Sequence, residues 1–118
     1  MEFGKEGRFE RKRPEDEFAK ALSSAVGEDI SVETDDDTHS IDTDTFRLSF
    51  VLHEDSFEIR DIRSATPGRG RDVVTAIQKY CDSKGLDVYA SNVLGTAEGF
   101  WRKMGYQEGA AGEFFHAG

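Results

Sequence analysis

The segment FRLSFVL at residues 46–52 constrains the fold more than any other, because large apolar side chains occupy alternate positions along it: Phe46, Leu48, Phe50 and Leu52. Side chains alternate between the two faces of an extended strand, so all four would lie on one face. A polar turn, HEDS, follows, and Phe57 and Ile59 then resume the strand pattern. The sequence therefore predicts an antiparallel hairpin with one buried face.

Simple alternation also predicts how the second strand of this hairpin presents its side chains. Ile62 would lie on the face opposite Ile59, because an odd spacing changes the face. Glu58 and Asp61 would likewise face opposite sides, so at most one of these carboxylates would point into a cleft beside the strand.

Three segments have the apolar spacing of amphipathic helices. They begin near Pro14, Asp72 and Ala97, and a glycine typical of a helix end follows each of them: Gly27, Gly85 and Gly105. Cys81 lies on the apolar stripe of the second helix, which predicts a small core residue and not a nucleophile.

Further strands are predicted at residues 30–32, 86–90, 106–108 and 113–116, with GRFERKR at residues 7–13 as an edge strand. Strands outnumber helices, and hairpins mix with crossovers, so we expect an α/β fold, a mixed sheet with helices on both faces. Neither a repeat nor a linker interrupts the chain, and 118 residues predict a single domain over residues 1–118.

The net charge of the chain restricts the classes of partner that its surface can bind. Fifteen Lys and Arg oppose 24 Asp and Glu, a net charge of −9, so a nucleic acid would be repelled by most of the surface. Residues 21–46 contain no Lys or Arg, and their run DDDTHSIDTD predicts a solvated turn. Adaptation to high salt is a second interpretation of this acidity. No metal site is expected, because the run lacks the Gly and the terminal Glu of a calcium loop.

Localisation follows from what the sequence lacks. No apolar run approaches the ~20 residues that cross a bilayer, and the basic N-terminus has no apolar stretch of a secretory signal behind it. A single cysteine excludes an internal disulfide. We therefore expect a cytoplasmic protein without a membrane partner.

The segment TPGRGRD at residues 66–72 carries the strongest chemical signal, because it lies between a predicted strand and a predicted helix. Gly68 and Gly70 would let backbone N–H groups turn toward a ligand, and a helix N-terminus favours an anion such as pyrophosphate. Arg69 and Arg71 would add charge and forked hydrogen bonds. Taken alone, the segment favours an ordinary Gly-rich turn from strand to helix whose arginines face water. It matches neither a Walker loop nor the dinucleotide fingerprint.

From Phe57 to Glu108 the chain resembles the acetyl-CoA-binding core of the GNAT superfamily of N-acetyltransferases. Gly68-Arg69-Gly70 matches the G-x-G of the family's [QR]-x-x-G-x-[GA] loop, and Val73-Val74 the apolar pair that opens the following helix. The run AEGFWRKMGY at residues 97–106 is similar to the family's closing helix, "A-x-x-[LF]-Y-x-x-x-G-[FY]". The resemblance implies a mostly antiparallel sheet with two splayed parallel strands at its centre.

The resemblance also implies a function, acetyl transfer from acetyl-CoA to an amine on a small molecule or a protein. The backbone from Gly68 to Asp72 would hold the pyrophosphate, and other positions would hold the rest of the cofactor: Ile62, Arg63 and Ser64 beside the pantetheine arm, Asn92 at the end of the next strand, and Phe100 and Trp101 at the thiol end. Glu58 and Asp61 are the candidate bases for the amine proton.

Three departures keep alternatives open. Ala65 replaces the usual Gln or Arg at the head of the loop, and Pro67 has no N–H to offer. Trp101 stands where many members carry a Tyr that protonates the leaving thiolate, and an indole is not an acid at ordinary pH. A non-catalytic domain that binds an acyl-CoA or a protein is therefore the alternative to an enzyme. An unrelated phosphate-binding or interaction domain is a third hypothesis.

Overall fold

A computed structural model describes residues 13–116 and divides them into three helices and seven strands. The helices are α1 (Pro14–Val26), α2 (Arg69–Lys84) and α3 (Glu98–Lys103). The strands are β1 (Glu33–Asp35), β2 (Thr38–Asp42), β3 (Phe46–Leu52), β4 (Ser56–Ser64), β5 (Asp87–Ala90), β6 (Tyr106–Glu108) and β7 (Phe114–His116). The edge strand expected over residues 7–13 lies almost wholly outside the described residues.

All seven strands join in one sheet, in the order β1-β2-β3-β4-β5-β7-β6. Only β4 and β5 pair in parallel, and every other neighbouring pair is antiparallel. A parallel pair needs a crossover connection, and α2 provides it between β4 and β5. The predicted mixed, mostly antiparallel sheet with parallel strands at its centre is confirmed.

The core lies between one face of the sheet and the helices. Phe50 of β3 and Phe57 of β4 stack with ring centroids 4.9 Å apart, and Phe18 of α1 packs edge-on against both rings. Val73, Val74 and Ile77 of α2 are fully buried in the same core.

The third helix packs on this face as well. Arg102 of α3 lies over the ring of Phe114, which pairs with Ala90 and therefore shares the face of Ile59. Helices were expected on both faces, but within residues 13–116 Phe18 of α1, the buried side chains of α2 and Arg102 of α3 all lie toward this one face. The opposite face presents polar side chains instead, Arg47 and Ser49 among them.

The acidic run forms a hairpin, so the predicted solvated turn is limited to Asp36 and Asp37, and the residues on both sides of it are in strands. β1 and β2 pair in antiparallel register around a turn at Asp36, whose φ is 56°. Ile41 is fully buried, and His39 lies beneath the surface, with Nδ1 2.9 Å from the hydroxyl of Thr34 and its ring 5.2 Å from that of Phe50. These two side chains alternate with polar ones, and the density of acidic residues hid that strand pattern.

A β-bulge in β4 changes the faces that simple alternation predicts. Ile59 pairs with Phe50 and Asp61 with Ser49, so Arg60 is an extra residue with no partner on β3. Ile62 therefore lies on the same face as Ile59, and the expectation of opposite faces is wrong. For the same reason Glu58 and Asp61 share the sheet face turned away from the helices. A bulge also bends its strand and increases the local twist.

None of the helices between residues 13 and 116 combines the length and the apolar character that crossing a membrane requires.

Candidate functional site

The two parallel strands pair over only part of their length. β4 and β5 are in register from Ser56 opposite Asp87 to Ile59 opposite Ala90. The N–H of Ser91 donates to the carbonyl of Ile59 at 3.0 Å, which closes the pairing. β4 continues to Ser64 beside β3 alone, so one edge of its second half has no strand partner among residues 13–116.

A cleft of about 410 Å³ opens where the strands separate. One wall is β4 from Ile59 to Ser64, and the other runs from Ala90 to Leu94. The cleft contains several of the predicted site residues: Asp61, Ile62, Arg63, Ser64, Gly70, Asn92, Phe100 and Trp101. The bulge at Arg60 explains the opening, because it bends β4 at the point where the pairing with β5 stops.

The glycine-rich loop keeps some of its peptide groups engaged and leaves others free. The N–H of Arg69 donates to Thr66 at 3.1 Å, and that of Asp72 to Gly68 at 3.2 Å. The N–H groups of Gly70 and Arg71 have no acceptor among residues 13–116. Gly68 has a φ of 82°, a left-handed conformation that glycine adopts without strain. The start of α2 therefore presents two free donors at the positive end of a helix.

A second recess of about 480 Å³ lies in front of this loop. It shares Ser64, Gly70 and Phe100 with the cleft, so the two spaces form one groove from the end of β5 to Arg71. A Cβ added to Gly70 would lie 3.6 Å from the ring of Phe100 and 3.7 Å from the Cβ of Ser64. Any larger side chain at this position would fill the passage between the two parts of the groove.

Arg69 and Asp72 point elsewhere. The Arg69 guanidinium donates to the carbonyl of Val26 at 3.3 Å and pairs with Glu28 at 3.3 Å and Asp72 at 3.4 Å. Neither residue lines the groove. Arg71 is exposed and lines the recess. Arg69 and Arg71 were expected to have the same role, but their surroundings differ.

Two aromatic side chains line the cleft, Phe100 and Trp101. Trp101 is 3% exposed and packs edge-on between Phe100 and Tyr106, with centroids 5.1 and 4.8 Å away. Its indole N–H has no hydrogen-bond acceptor within the described chain. Asn92 lines the opposite wall with a φ of 53°, a left-handed conformation that asparagine tolerates better than most residues.

Glu58 accepts hydrogen bonds from four side chains, which with it form the Glu58 cluster. Arg60 Nε donates to Oε2 at 3.2 Å, and the Ser91 hydroxyl donates to the same oxygen at 2.7 Å. Oε1 lies 2.8 Å from His53 Nε2 and accepts from the Tyr89 hydroxyl at 3.3 Å. Arg60 and Ser91 also line the cleft, whereas Glu58 does not.

The two candidate bases therefore differ in their electrostatics. Burial by itself raises the pKa of Glu58, but the hydrogen bonds from His53, Ser91 and Arg60 outweigh it and lower the pKa to about 2. A carboxylate this acidic is a poor proton acceptor at neutral pH. Asp61 lines the cleft, is half-exposed and accepts one hydrogen bond, from Arg63 Nε at 3.2 Å.

Cys81 is buried in the core, as predicted, and burial raises the pKa of its thiol to about 12. Among residues 13–116, no three His, Cys, Asp or Glu side chains converge as metal ligands would.

Sequence reasoning missed the Glu58 cluster, because its members come from the β3–β4 turn, β4, β5 and the residue that follows β5. Only the parallel register, which sets Glu58 opposite Tyr89, brings them together. That register has no short-range sequence signal.

Two solved structures share this architecture. The solution NMR structure of the putative N-acetyl transferase YhhK from E. coli, bound to coenzyme A, superposes with a TM-score of 0.55 at 12% identity, over 92% of this chain and 94% of that one. The crystal structure of the anti-CRISPR protein AcrVA5 gives a TM-score of 0.54 at 12% identity, over 66% and 95%. No family model and no curated protein matches the sequence. The fold is GNAT-like.

Proposed function

We propose that this chain binds acetyl-CoA in the groove between β4 and β5 and transfers the acetyl group to an amine. One observation carries the proposal: a single groove joins a strand edge without a partner to a helix start whose N–H groups at Gly70 and Arg71 are free within residues 13–116. The GNAT-like fold, and the coenzyme A in the YhhK structure, support the same ligand.

The diphosphate binds at the start of α2 in this proposal. The free N–H groups of Gly70 and Arg71 donate to its oxygens, and the exposed Arg71 guanidinium adds charge. Arg69 and Asp72 are left out, because their N–H groups are bonded within the loop and their side chains pair with each other.

The pantetheine arm then extends along the free edge of β4. Ile62, Arg63 and Ser64 form the wall next to the loop, so peptide groups of the arm pair with this edge as an added strand would. An arm anchored at Gly70 and running toward the N-terminus of β4 brings its thioester to the closed end of the cleft, near Ile59 and Ser91.

The transfer is a direct displacement. The neutral amine attacks the thioester carbonyl, the C–N bond forms as the C–S bond breaks, and the amine loses a proton. Asp61 is the carboxylate in the cleft and accepts that proton, directly or through water. The departing thiolate takes a proton from water, because the Trp101 indole cannot supply one.

A non-catalytic acyl-CoA-binding domain is the second candidate. Two observations favour it: an indole in the place of a proton donor, and the four hydrogen bonds that hold Glu58 as an unreactive carboxylate.

Titration of the full chain with acetyl-CoA, followed by amide NMR shifts, tests the binding. We expect shifts confined to residues 61–72 and 90–101, and no shifts at millimolar acetyl-CoA would refute the proposal. Release of free thiol with a panel of amines then separates the enzyme from the binding domain. The variant Asp61→Asn should lower this release at least tenfold while the acetyl-CoA shifts remain.

A further inference from the structure

With acetyl-CoA in the groove as proposed, the polar face of the sheet is the open side from which we expect an acceptor to reach the closed end of the cleft. The helices cover the other face, where Ile59 and Phe57 are buried. The opposite face carries Glu58, Tyr89 and the partly exposed Phe115, which share it by their pairing register. An amine must therefore approach past the residues of this face that stand beside the end of β5.

Arg60 is one of the charged residues at this approach. It is the extra residue of the bulge, and its Nε bond to Glu58 shows that the side chain lies on the polar face. Its side chain is 50% exposed and lines the cleft. Only Nε has an acceptor among residues 13–116, so both terminal nitrogens remain free to bind a ligand.

The guanidinium is bonded to a carboxylate that three other side chains hold in place. The Glu58 side chain is only 10% exposed, and His53, Tyr89 and Ser91 fix both of its oxygens. A preorganised guanidinium loses less freedom when it binds, and its planar fork matches the two oxygens of a carboxylate.

The other charges of the cleft point to the same ligand. Asp61 and Arg63 pair with each other at 3.2 Å, and Arg60 pairs with Glu58 at the same distance. Of these four residues only Glu58 does not line the cleft, so Arg60 presents its terminal nitrogens there without its carboxylate partner. The terminal nitrogens of Arg60 are therefore available at the cleft to an anionic group such as a carboxylate.

We infer that the acceptor is an amine that also carries a carboxylate, as an amino acid does, and that the terminal nitrogens of Arg60 bind this carboxylate beside the closed end of the cleft. The inference rests on the proposed function, because it names the acceptor class of that reaction. Arg60 is a specificity-determining residue, and Glu58 is the residue that positions it.

Matched pairs of acceptors test the inference. The twenty common L-amino acids and their α-amides are assayed singly for thiol release from acetyl-CoA, since each amide keeps the amine and lacks the carboxylate. The variants are Arg60→Gln and, as a control, Arg47→Gln. Arg47 is an exposed arginine on the same face of the sheet, and it pairs with Asp42. Acetyl-CoA affinity is measured for every variant by NMR titration.

We expect at least one amino acid to exceed its amide tenfold or more in kcat/KM. Arg60→Gln should remove this preference by raising KM for the acid, with the affinity for acetyl-CoA unchanged, and Arg47→Gln should keep it. Equal rates for acids and amides would overturn the inference, and so would the absence of transfer to both panels. A loss of acetyl-CoA affinity in Arg60→Gln as large as its rise in KM for the acid would also overturn it. If the unmodified chain does not bind acetyl-CoA, the proposed function fails first and the inference fails with it.

Discussion

The guanidinium of Arg69 lies 3.3 Å from the carboxylate of Glu28, and the same carboxylate oxygen accepts a hydrogen bond from the hydroxyl of Thr45. The carbonyl of Thr45 in turn accepts the N–H of Ala65. Glu28 thus connects both ends of the glycine-rich loop, at Ala65 and at Arg69, from behind the groove. The loop geometry at the start of α2 depends on a residue outside the groove.

The substitution Glu28→Gln should weaken coenzyme A binding about three- to tenfold, because the neutral amide no longer holds the guanidinium that fixes the start of α2. Isothermal titration calorimetry measures the affinity, and circular dichroism checks that the fold is retained. Asp72→Asn is the matched control, since Asp72 contacts the same guanidinium but is 56% exposed and should matter less. Equal effects of the two substitutions would contradict the role given to Glu28.

The substitution Gly70→Val should reduce coenzyme A affinity by more than tenfold. Its branched side chain would occupy the passage between Ser64 and Phe100, where a single Cβ already makes ordinary contacts. Gly70→Ala should bind at nearly normal strength, because an alanine adds only that Cβ. NMR titration of both variants with coenzyme A distinguishes a blocked groove from a loop that tolerates no side chain at this position. Normal binding by Gly70→Val would show that the ligand does not pass between Ser64 and Phe100.

Acidification should destabilise the fold through Glu58. Its folded pKa of about 2 lies below the usual carboxyl value, so its ionised form stabilises the folded state above about pH 5. That contribution, at most about 3 kcal/mol, is lost as the pH falls from about 5 toward 2.

Urea unfolding of the native chain and of Glu58→Gln, across this pH range, measures the contribution of Glu58. The variant should lose less stability on acidification than the native chain does. Parallel curves for the two proteins would contradict the assignment of the effect to this carboxylate.

The substitution Phe18→Ala should cost about 3–5 kcal/mol of unfolding free energy, the usual range for a fully buried phenylalanine. The ring is 0% exposed and packs edge-on against Phe50, Phe57 and Tyr80, so its loss leaves a cavity among three aromatic rings. Thermal or chemical unfolding measures the change. A loss below about 1 kcal/mol would mean that α1 does not pack as described.

The sequence carried enough information to predict the core of the fold, because local patterns determine it. Alternation located β3, and helical spacing and glycine ends located α2. The glycine-rich loop was recognised for a similar reason, since Gly68 and Gly70 mark a tight approach between a strand and a helix. The local pattern indicates Gly70 and Arg71 of the groove, whereas its other expected residues were implied only by the family resemblance: Ile62, Arg63, Ser64, Asn92, Phe100 and Trp101.

What the sequence did not reveal depends on pairing between distant segments. No local pattern marks Arg60 as an extra residue, yet it sets the faces of Ile62 and Asp61. The Glu58 cluster depends on the register between β4 and β5 in the same way. The orientation of Arg69 toward Glu28 depends on how α1 packs against α2. Each of these is a tertiary property, so strand parity and residue spacing could not supply it.

Because of the bulge at Arg60, the deletion of a single residue would decide whether the sheet opens into a cleft. Loss of that residue would leave Ile59 and Asp61 consecutive opposite Phe50 and Ser49, so every other side chain would keep its face. The strand would then be regular, without the bend that parts it from β5. Deletion of this one residue would thus remove the ligand-sized opening and leave the hydrophobic interior intact. Ligand binding is therefore easier to gain or lose in evolution than the fold.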